Sequence, residues 1–100
     1  MATIKVTASQ LKSKKEKLEA LNKQYKRELD ALQQDEQQVM AMWEGDAAKA
    51  FHNGFYKDYA NLVQYYTLIA KYCATLDTII KKYEQAEKKN IEIAKTRSYK

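Results

Sequence analysis

Residues 43–46 read WEGD and separate two long segments in which almost nothing interrupts a helix. The chain contains no proline, and its two glycines are Gly45 in this stretch and Gly54 shortly after it. Proline breaks a helix and glycine weakens it, so their scarcity permits long helices on both sides. The sequence therefore predicts an all-α fold, an antiparallel two-helix hairpin forming a single domain over residues 1–100. We expect a helix over about 8–42, a turn at 43–46, a helix over about 46–95 and a flexible basic carboxyl-terminal tail.

The first helix carries two independent signals at its start. Thr7 and Gln10 have the spacing of a capping box, and Val6 and Leu11 have the spacing of a hydrophobic staple. Further along, apolar residues recur at intervals of seven, which predicts a seam on one helical face. The members of this seam are Leu11, Leu18, Tyr25, Leu32 and Val39, flanked by Leu21 and Leu29.

The second helix has a broader apolar stripe. Asp46 is the predicted N-cap, and apolar residues then alternate three and four positions apart. They are Phe55, Tyr59, Leu62, Tyr66, Ile69, Cys73, Leu76, Ile80 and Tyr83, flanked by Tyr56, Val63, Ala70, Tyr65, Tyr72 and Ile79. One antiparallel neighbour cannot cover so wide a stripe. We therefore expect a second hairpin, either another copy in a homodimer or a different chain, to complete a four-helix bundle.

The charges are arranged in three blocks. Residues 1–27 contain eight basic and two acidic residues (net +6), residues 28–80 three basic and eight acidic (net −5), and residues 81–100 seven basic and three acidic (net +4). A hairpin bend at 43–46 brings both basic blocks to the open end and leaves the turn end acidic. Opposite charges meet when two such hairpins pair antiparallel, so we expect that orientation.

The turn also carries a recognisable motif. Trp43, Gly45, Ala47 and Phe51 resemble the Trp-x-Gly-x-Ala-x-x-x-Phe core of the WXG family, which comprises small Esx-type substrates of type VII secretion systems in Gram-positive bacteria and mycobacteria. The resemblance covers the whole chain. It implies a helix hairpin with Trp-x-Gly in the turn, association as homodimers or heterodimers, and a role as a secreted, virulence-associated effector or a co-secreted partner that acts by binding other proteins.

A second feature of the resemblance lies late in the second helix. Many members carry Tyr-x-x-x-Asp/Glu as part of their export signal, and Tyr83 and Glu87 fit this pattern here. Counting the same number of residues from the turn along each helix puts Ala8 opposite about residue 80. We therefore expect Tyr83 and Glu87 to lie beyond the end of the first helix. The resemblance implies that they join the Trp43 and Gly45 of an antiparallel partner in a surface read by a secretion ATPase of the FtsK/SpoIIIE type.

Other classes of function find little support in the residues. Cys73 and His52 are the only Cys and His, and no metal-ligand spacing or Gly-rich phosphate loop occurs, so we expect no cofactor, no metal and no catalysis. The absence of an apolar run of about 18 residues argues against a membrane span. The start of the sequence lacks the apolar core of a signal peptide. We therefore expect secretion without a cleavable signal peptide, from a cytoplasmic pool.

The excess of basic over acidic residues leaves alternative functions open. The calculated pI is about 9.2, whereas similar proteins are often acidic. One alternative is an adaptor that pairs with the helical amino terminus of a larger exported toxin. Nucleic-acid binding and membrane activity are disfavoured, because the lysines spread around both helices, only two arginines are present, and a partner helix explains the apolar stripe better than lipid does.

Overall fold

A computed structural model describes the backbone of residues 6–98 and the side chains of residues 6–92. These residues form two helices, α1 over Ala8–Met42 and α2 over Asp46–Ser98, and include no strand. α2 folds back along α1, so the chain is a rod about 84 Å long with a cross-section of 23 by 17 Å. The predicted all-α fold, an antiparallel two-helix hairpin, is confirmed.

The start of α1 is fixed by its own first residues. The Thr7 hydroxyl accepts a hydrogen bond from the Gln10 backbone N–H at 3.1 Å, and the Gln10 side chain accepts one from the Thr7 N–H at 2.9 Å. The predicted capping box is therefore confirmed. It satisfies two of the backbone donors that every helix leaves unpaired at its amino terminus.

The turn depends on the conformation of Gly45. α1 ends at Met42, Trp43 is extended, and Gly45 has a φ of +108°, a region that residues with a side chain rarely adopt. The Gly45 carbonyl accepts the first helical hydrogen bond of α2, from the Lys49 N–H at 3.1 Å. Gly45 therefore occupies the N-cap position that we predicted for Asp46. Asp46 is instead in the first turn of α2, where its negative charge is favourable near the helix amino terminus.

The row of α1 that α2 buries most deeply lies beside the predicted apolar seam. The buried residues of α1 are Ala8, Asn22, Leu29 and Glu36, and Lys15 holds the remaining position at the same interval of seven. We call these five residues the contact row of α1. The apolar seam lies three residues further round the helix, and Leu18 and Leu32 are each 41% exposed. Most of α1's large apolar side chains therefore remain partly uncovered in a single hairpin.

The predicted stripe of α2 separates into two rows. One row, which includes Tyr66, Cys73 and Ile80, packs against α1, and Ile80 is the most deeply buried large side chain of the described residues at 2% exposure. The other row is half-buried and consists of Phe55, Leu62, Ile69, Leu76 and Tyr83. Helix α2 continues to Ser98, beyond residue 95 where we expected the flexible tail to begin. Residues 99 and 100 of that predicted tail lie outside the described residues.

Candidate functional site

Polar contacts fix the alignment of the two helices. The Asn22 side-chain amide donates to the Tyr66 carbonyl at 3.1 Å, and the Tyr25 hydroxyl donates to the Leu62 carbonyl at 2.8 Å. Near the turn, Glu36 Oε1 lies 2.6 Å from His52 Nδ1. Each of these bonds needs a particular partner at a particular height along the rod. A buried polar side chain at such a position specifies register, because sliding the helices would leave it unpaired.

An ion-pair network continues this alignment toward the open end. Lys15 Nζ lies 3.1 Å from Asp77 Oδ1 and 3.6 Å from Glu19, and Lys81 lies 3.1 Å from Asp77 Oδ2. The hydrogen bonds from Lys15 and then Lys81 hold the pKa of the Asp77 carboxyl below its ordinary value. The hydrogen bond to Asp77 in turn raises the pKa of Lys15. Sequence reasoning missed this network, although the interval of seven that links Lys15, Asn22 and Glu36 was visible.

The hairpin has one apolar side. On this side, Tyr25 and Leu32 of α1 and Leu62 of α2 line a shallow groove of about 420 Å³, with Glu28 and Asp35 also in its lining. Tyr25, Leu32 and Leu62 belong to two rows, one on each helix, and we call the two rows together the apolar face. It consists of Leu11, Leu18, Tyr25, Leu32 and Val39 with Phe55, Leu62, Ile69, Leu76 and Tyr83. The groove on the other side has charged walls, formed by Lys15, Glu19, Lys23 and Asp77.

The turn residues singled out in the sequence lie together around a concavity. Trp43 packs on Phe51 with ring centroids 5.6 Å apart, and 39% of its surface is exposed. Trp43 and Gly45 line a hollow of about 580 Å³ with Ala48 and His52 as further walls. The Trp-x-Gly motif therefore presents an accessible aromatic surface at the end of the rod, held by the extended Trp43 backbone and the positive φ of Gly45.

Tyr83 and Glu87 are covered differently from our expectation. Glu87 Oε1 accepts a hydrogen bond from the Ala8 backbone N–H at 3.0 Å, so the first turn of α1 reaches Glu87. Tyr83 is half-buried, and with Val6 and Glu87 it lines a hollow of about 220 Å³. The prediction that both residues lie beyond the end of α1 is therefore wrong. Equal counting ignored the direction of the Glu87 side chain, which leans toward the amino terminus of its own helix.

The two candidate signal elements are far apart in one chain. Forty-two residues of α2 separate Gly45 from Glu87, which corresponds to roughly 60 Å at 1.5 Å per residue. A surface that contains both Trp-x-Gly and Tyr-x-x-x-Glu therefore requires two chains. An antiparallel neighbour is the arrangement that brings the turn of one rod to the open end of another.

The described residues contain neither a cluster of metal-ligating side chains nor a membrane-spanning helix. No group of three or more His, Cys, Asp or Glu side chains could hold a metal ion there. Within the described residues, neither helix contains a stretch long and apolar enough to cross a membrane. Cys73, the only cysteine of the sequence, is buried between the helices and packs as a small apolar side chain.

The structure is that of a small helical hairpin with a partly exposed Trp at a glycine turn and one apolar face that the chain itself leaves partly uncovered. A family described as WXG100, proteins of 100 residues with WXG, matches residues 3–88, and the chain belongs to this family. Its members are small proteins secreted by type VII systems, so this chain is a small type VII secretion substrate. No curated protein and no solved structure was found to match the chain.

Proposed function

We propose that two copies of this chain pair through the apolar face and that the resulting homodimer is the form exported by the type VII system. The observation that carries the proposal is the position of the apolar seam of α1, which flanks the contact with α2 instead of forming it. Leu18 and Leu32, for example, keep about two fifths of their surface exposed. Polar residues such as Asn22 and Glu36 occupy the contact row in their place.

The extent of the apolar face favours a helical partner over solvent. The face runs along the rod from Leu11 to Val39 on α1 and from Tyr83 to Phe55 on α2. Each large apolar side chain contributes roughly 1.5–3 kcal/mol when it becomes fully buried, so ten half-covered side chains leave a substantial driving force for association. A contiguous apolar patch of this kind marks a protein interface in most soluble proteins. A second hairpin offers a surface of the same length and periodicity.

Charge supports an antiparallel pair. The open end is basic and the turn end acidic, so the antiparallel arrangement places the lysines of one chain near Glu44 and Asp46 of the other. This attraction weakens with added salt because the charges are exposed. The same arrangement brings the Trp43 turn of one chain toward Tyr83 and Glu87 of its neighbour. A parallel dimer would contradict this part of the proposal.

We further propose that Tyr83 and Glu87 form the export signal, with the partner's turn motif beside them, and that a secretion ATPase of the FtsK/SpoIIIE type reads it. Tyr83 is the last residue of the apolar face, at the open end of the rod, and the proposal leaves it at the edge of the dimer contact. There Tyr83 and Glu87 are one helical turn apart on a single face, so one binding surface can contact both. Export from a cytoplasmic pool belongs to the same proposal.

The export signal is tested by comparing culture supernatant with cell pellet in a bacterium that carries a type VII system. We expect Tyr83→Ala and Glu87→Ala to remove the protein from the supernatant while leaving it in the pellet. Glu84→Ala, which changes an exposed acid of the same helix, is the matched control for Glu87→Ala. Normal export of the Tyr83 and Glu87 variants would refute the signal assignment.

A second candidate function is carried by the basic open end. In this alternative the chain is an adaptor, and the helical amino terminus of a larger exported toxin covers the apolar face. Light scattering on the purified chain separates the two candidates. A dimer at micromolar concentration supports the homodimer, whereas a monomer that becomes a stable complex only with such a toxin segment supports the adaptor.

A further inference from the structure

The first turn of α1 is capped from two directions. Locally, the Thr7 hydroxyl accepts from Gln10 N–H, and the Gln10 side chain accepts from Thr7 N–H. The N–H of Ala8 is directed elsewhere, to the Glu87 carboxylate 79 residues later in the chain. A carboxylate at a helix amino terminus is favourable both as an acceptor and through the helix dipole. Glu87 therefore acts as a cap supplied by the opposite helix.

This contact restricts the Glu87 side chain. A glutamate on an open helix surface samples many rotamers and loses that freedom when a partner binds it. Here one carboxylate oxygen is held 3.0 Å from the Ala8 nitrogen. The carboxylate borders the hollow of about 220 Å³ that Val6 and Tyr83 also line. Residues from the amino-terminal turn and from the late part of α2 thus meet at one surface.

We infer that the first turn of α1 positions Glu87 for recognition, so that the export signal is built from both ends of the chain. Ala8 is the positioning residue, and it acts through its backbone N–H. The inference rests on the proposed role of Tyr83 and Glu87 in export. If the signal were a linear segment of α2, changes at Ala8 would not affect export. If the signal depends on the Ala8–Glu87 contact, only a chain in which α1 has folded against α2 presents it.

Two substitutions in the same turn separate positioning from stability. Ala8→Pro removes the N–H that Glu87 accepts, and proline at the first position of a helix is well tolerated because that N–H has no partner within the helix. Thr7 already has the extended conformation, with ψ of 163°, that a residue before proline prefers. Gln10→Ala removes half of the capping box and weakens the turn, but it leaves the Ala8 N–H in place. The first variant loses the anchor together with one cap of the turn, whereas the second loses a cap and keeps the anchor.

We expect Ala8→Pro to reduce the amount of protein in the supernatant about tenfold, with a melting temperature no lower than that of Gln10→Ala, since each variant removes one cap of the first turn. A tenfold change corresponds to about 1.4 kcal/mol. Gln10→Ala lowers the melting temperature and is exported normally. Ala8→Gly also changes the side chain at this buried position but keeps the N–H, and it too is exported.

A third variant covers the possibility that Ala8→Pro fails to fold. Glu87→Asp keeps the charge and the Tyr-x-x-x-acid pattern, but its side chain is one methylene shorter and does not reach Ala8. We expect its export to fall as well. Normal export of Glu87→Asp and of a folded Ala8→Pro, alongside lost export of Glu87→Ala, would overturn the positioning role and leave the signal intact. Normal export of Glu87→Ala would instead refute the signal itself.

Discussion

Two leucines of equal exposure provide the sharpest test of the apolar face. Leu32 is 41% exposed on the apolar face, and Leu68 is 42% exposed on the outer side of α2. The residues one heptad before and after Leu68 are Asn61 and Thr75, so its row is polar. We expect Leu32→Ala to weaken dimerisation strongly and Leu68→Ala to leave it almost unchanged.

The size of the effect follows from the uncovered surface. Full burial of a leucine contributes roughly 1.5–3 kcal/mol. Since two fifths of Leu32 remain for a partner to cover, its dimer contact contributes about 0.6–1.2 kcal/mol per chain. A symmetric homodimer contains the contact twice, so Leu32→Ala should cost about 1.2–2.4 kcal/mol. That cost corresponds to a dissociation constant roughly 8 to 60 times larger. Leu68→Ala, as a surface substitution, should change the constant by no more than about twofold.

Sedimentation equilibrium over a range of protein concentrations measures both dissociation constants. The comparison is internally controlled, because the two substitutions remove the same atoms from sites that one hairpin covers to the same degree. Equal effects of the two substitutions would refute the assignment of the apolar face as the dimer interface. A larger effect at Leu68 would place the partner on the outer side of α2.

Two further predictions concern the ion-pair network and the turn. Since the pKa of Asp77 is lowered in the folded chain, its stabilisation is complete above the ordinary carboxyl pKa of about 3.9 and is lost as the pH falls through the lower folded-state value. Thermal melts at several pH values should therefore show a smaller loss of stability below pH 4 in Asp77→Asn than in the wild type, and equal slopes would contradict this. Gly45→Ala should destabilise by about 1–3 kcal/mol through backbone strain alone, because no atom lies within 4 Å of an added Cβ. Gly54→Ala, with equally open space but inside α2, should stabilise by up to about 1 kcal/mol; chemical denaturation measures both, and effects of the same sign would refute the argument.

Local signals in the sequence predicted the beginning of α1 well. The capping box needs only Thr7 and Gln10, three residues apart, and no distant part of the chain. The positive φ at Gly45 is likewise a local property, since glycine adopts it without steric cost. The N-cap of α2 was wrongly assigned to Asp46 because acidic residues suit both the N-cap and the first turn, and composition alone does not separate the two positions.

The contact between the helices was the part that the sequence pattern did not predict. Hydrophobic periodicity identified Leu18 and Leu32 as a seam, but it could not tell a seam inside the hairpin from one that faces another chain. Asn22 and Glu36 look like ordinary exposed residues until Tyr66 and His52 are brought opposite them. Register was also misjudged at the open end, where Ala8 meets Glu87 and not residue 80. These seven residues correspond to about two turns of helix, and the lean of the Glu87 side chain toward the amino terminus of α2 covers part of that distance.

The two rows of α1 connect folding with pairing. The contact row aligns α1 with α2, and the apolar seam belongs to the face that we propose for the dimer. Among the described residues, the buried apolar side chains of a single hairpin are Ala8, Leu29, Ala48, Cys73 and Ile80, a small core in which only two side chains are large. A core of this size is marginal for a chain of 100 residues. The polar contact row specifies alignment but adds little net stability, because its hydrogen bonds replace bonds to water. We therefore expect much of the stability of the rod to come from the apolar face when a partner covers it.

Mass action gives this argument a direct test. If folding and dimerisation are coupled, the melting temperature must rise with protein concentration, because dilution favours the separated and unfolded chains. Circular dichroism at 222 nm over a hundredfold range of concentration measures the dependence. We expect a steady rise for the wild type and for Leu68→Ala, and at each concentration a lower melting temperature for Leu32→Ala. The argument would be refuted if the melting temperature did not depend on concentration and light scattering gave the molar mass of a single chain. The hairpin would then be stable alone, and covering of the apolar face would not be needed for folding.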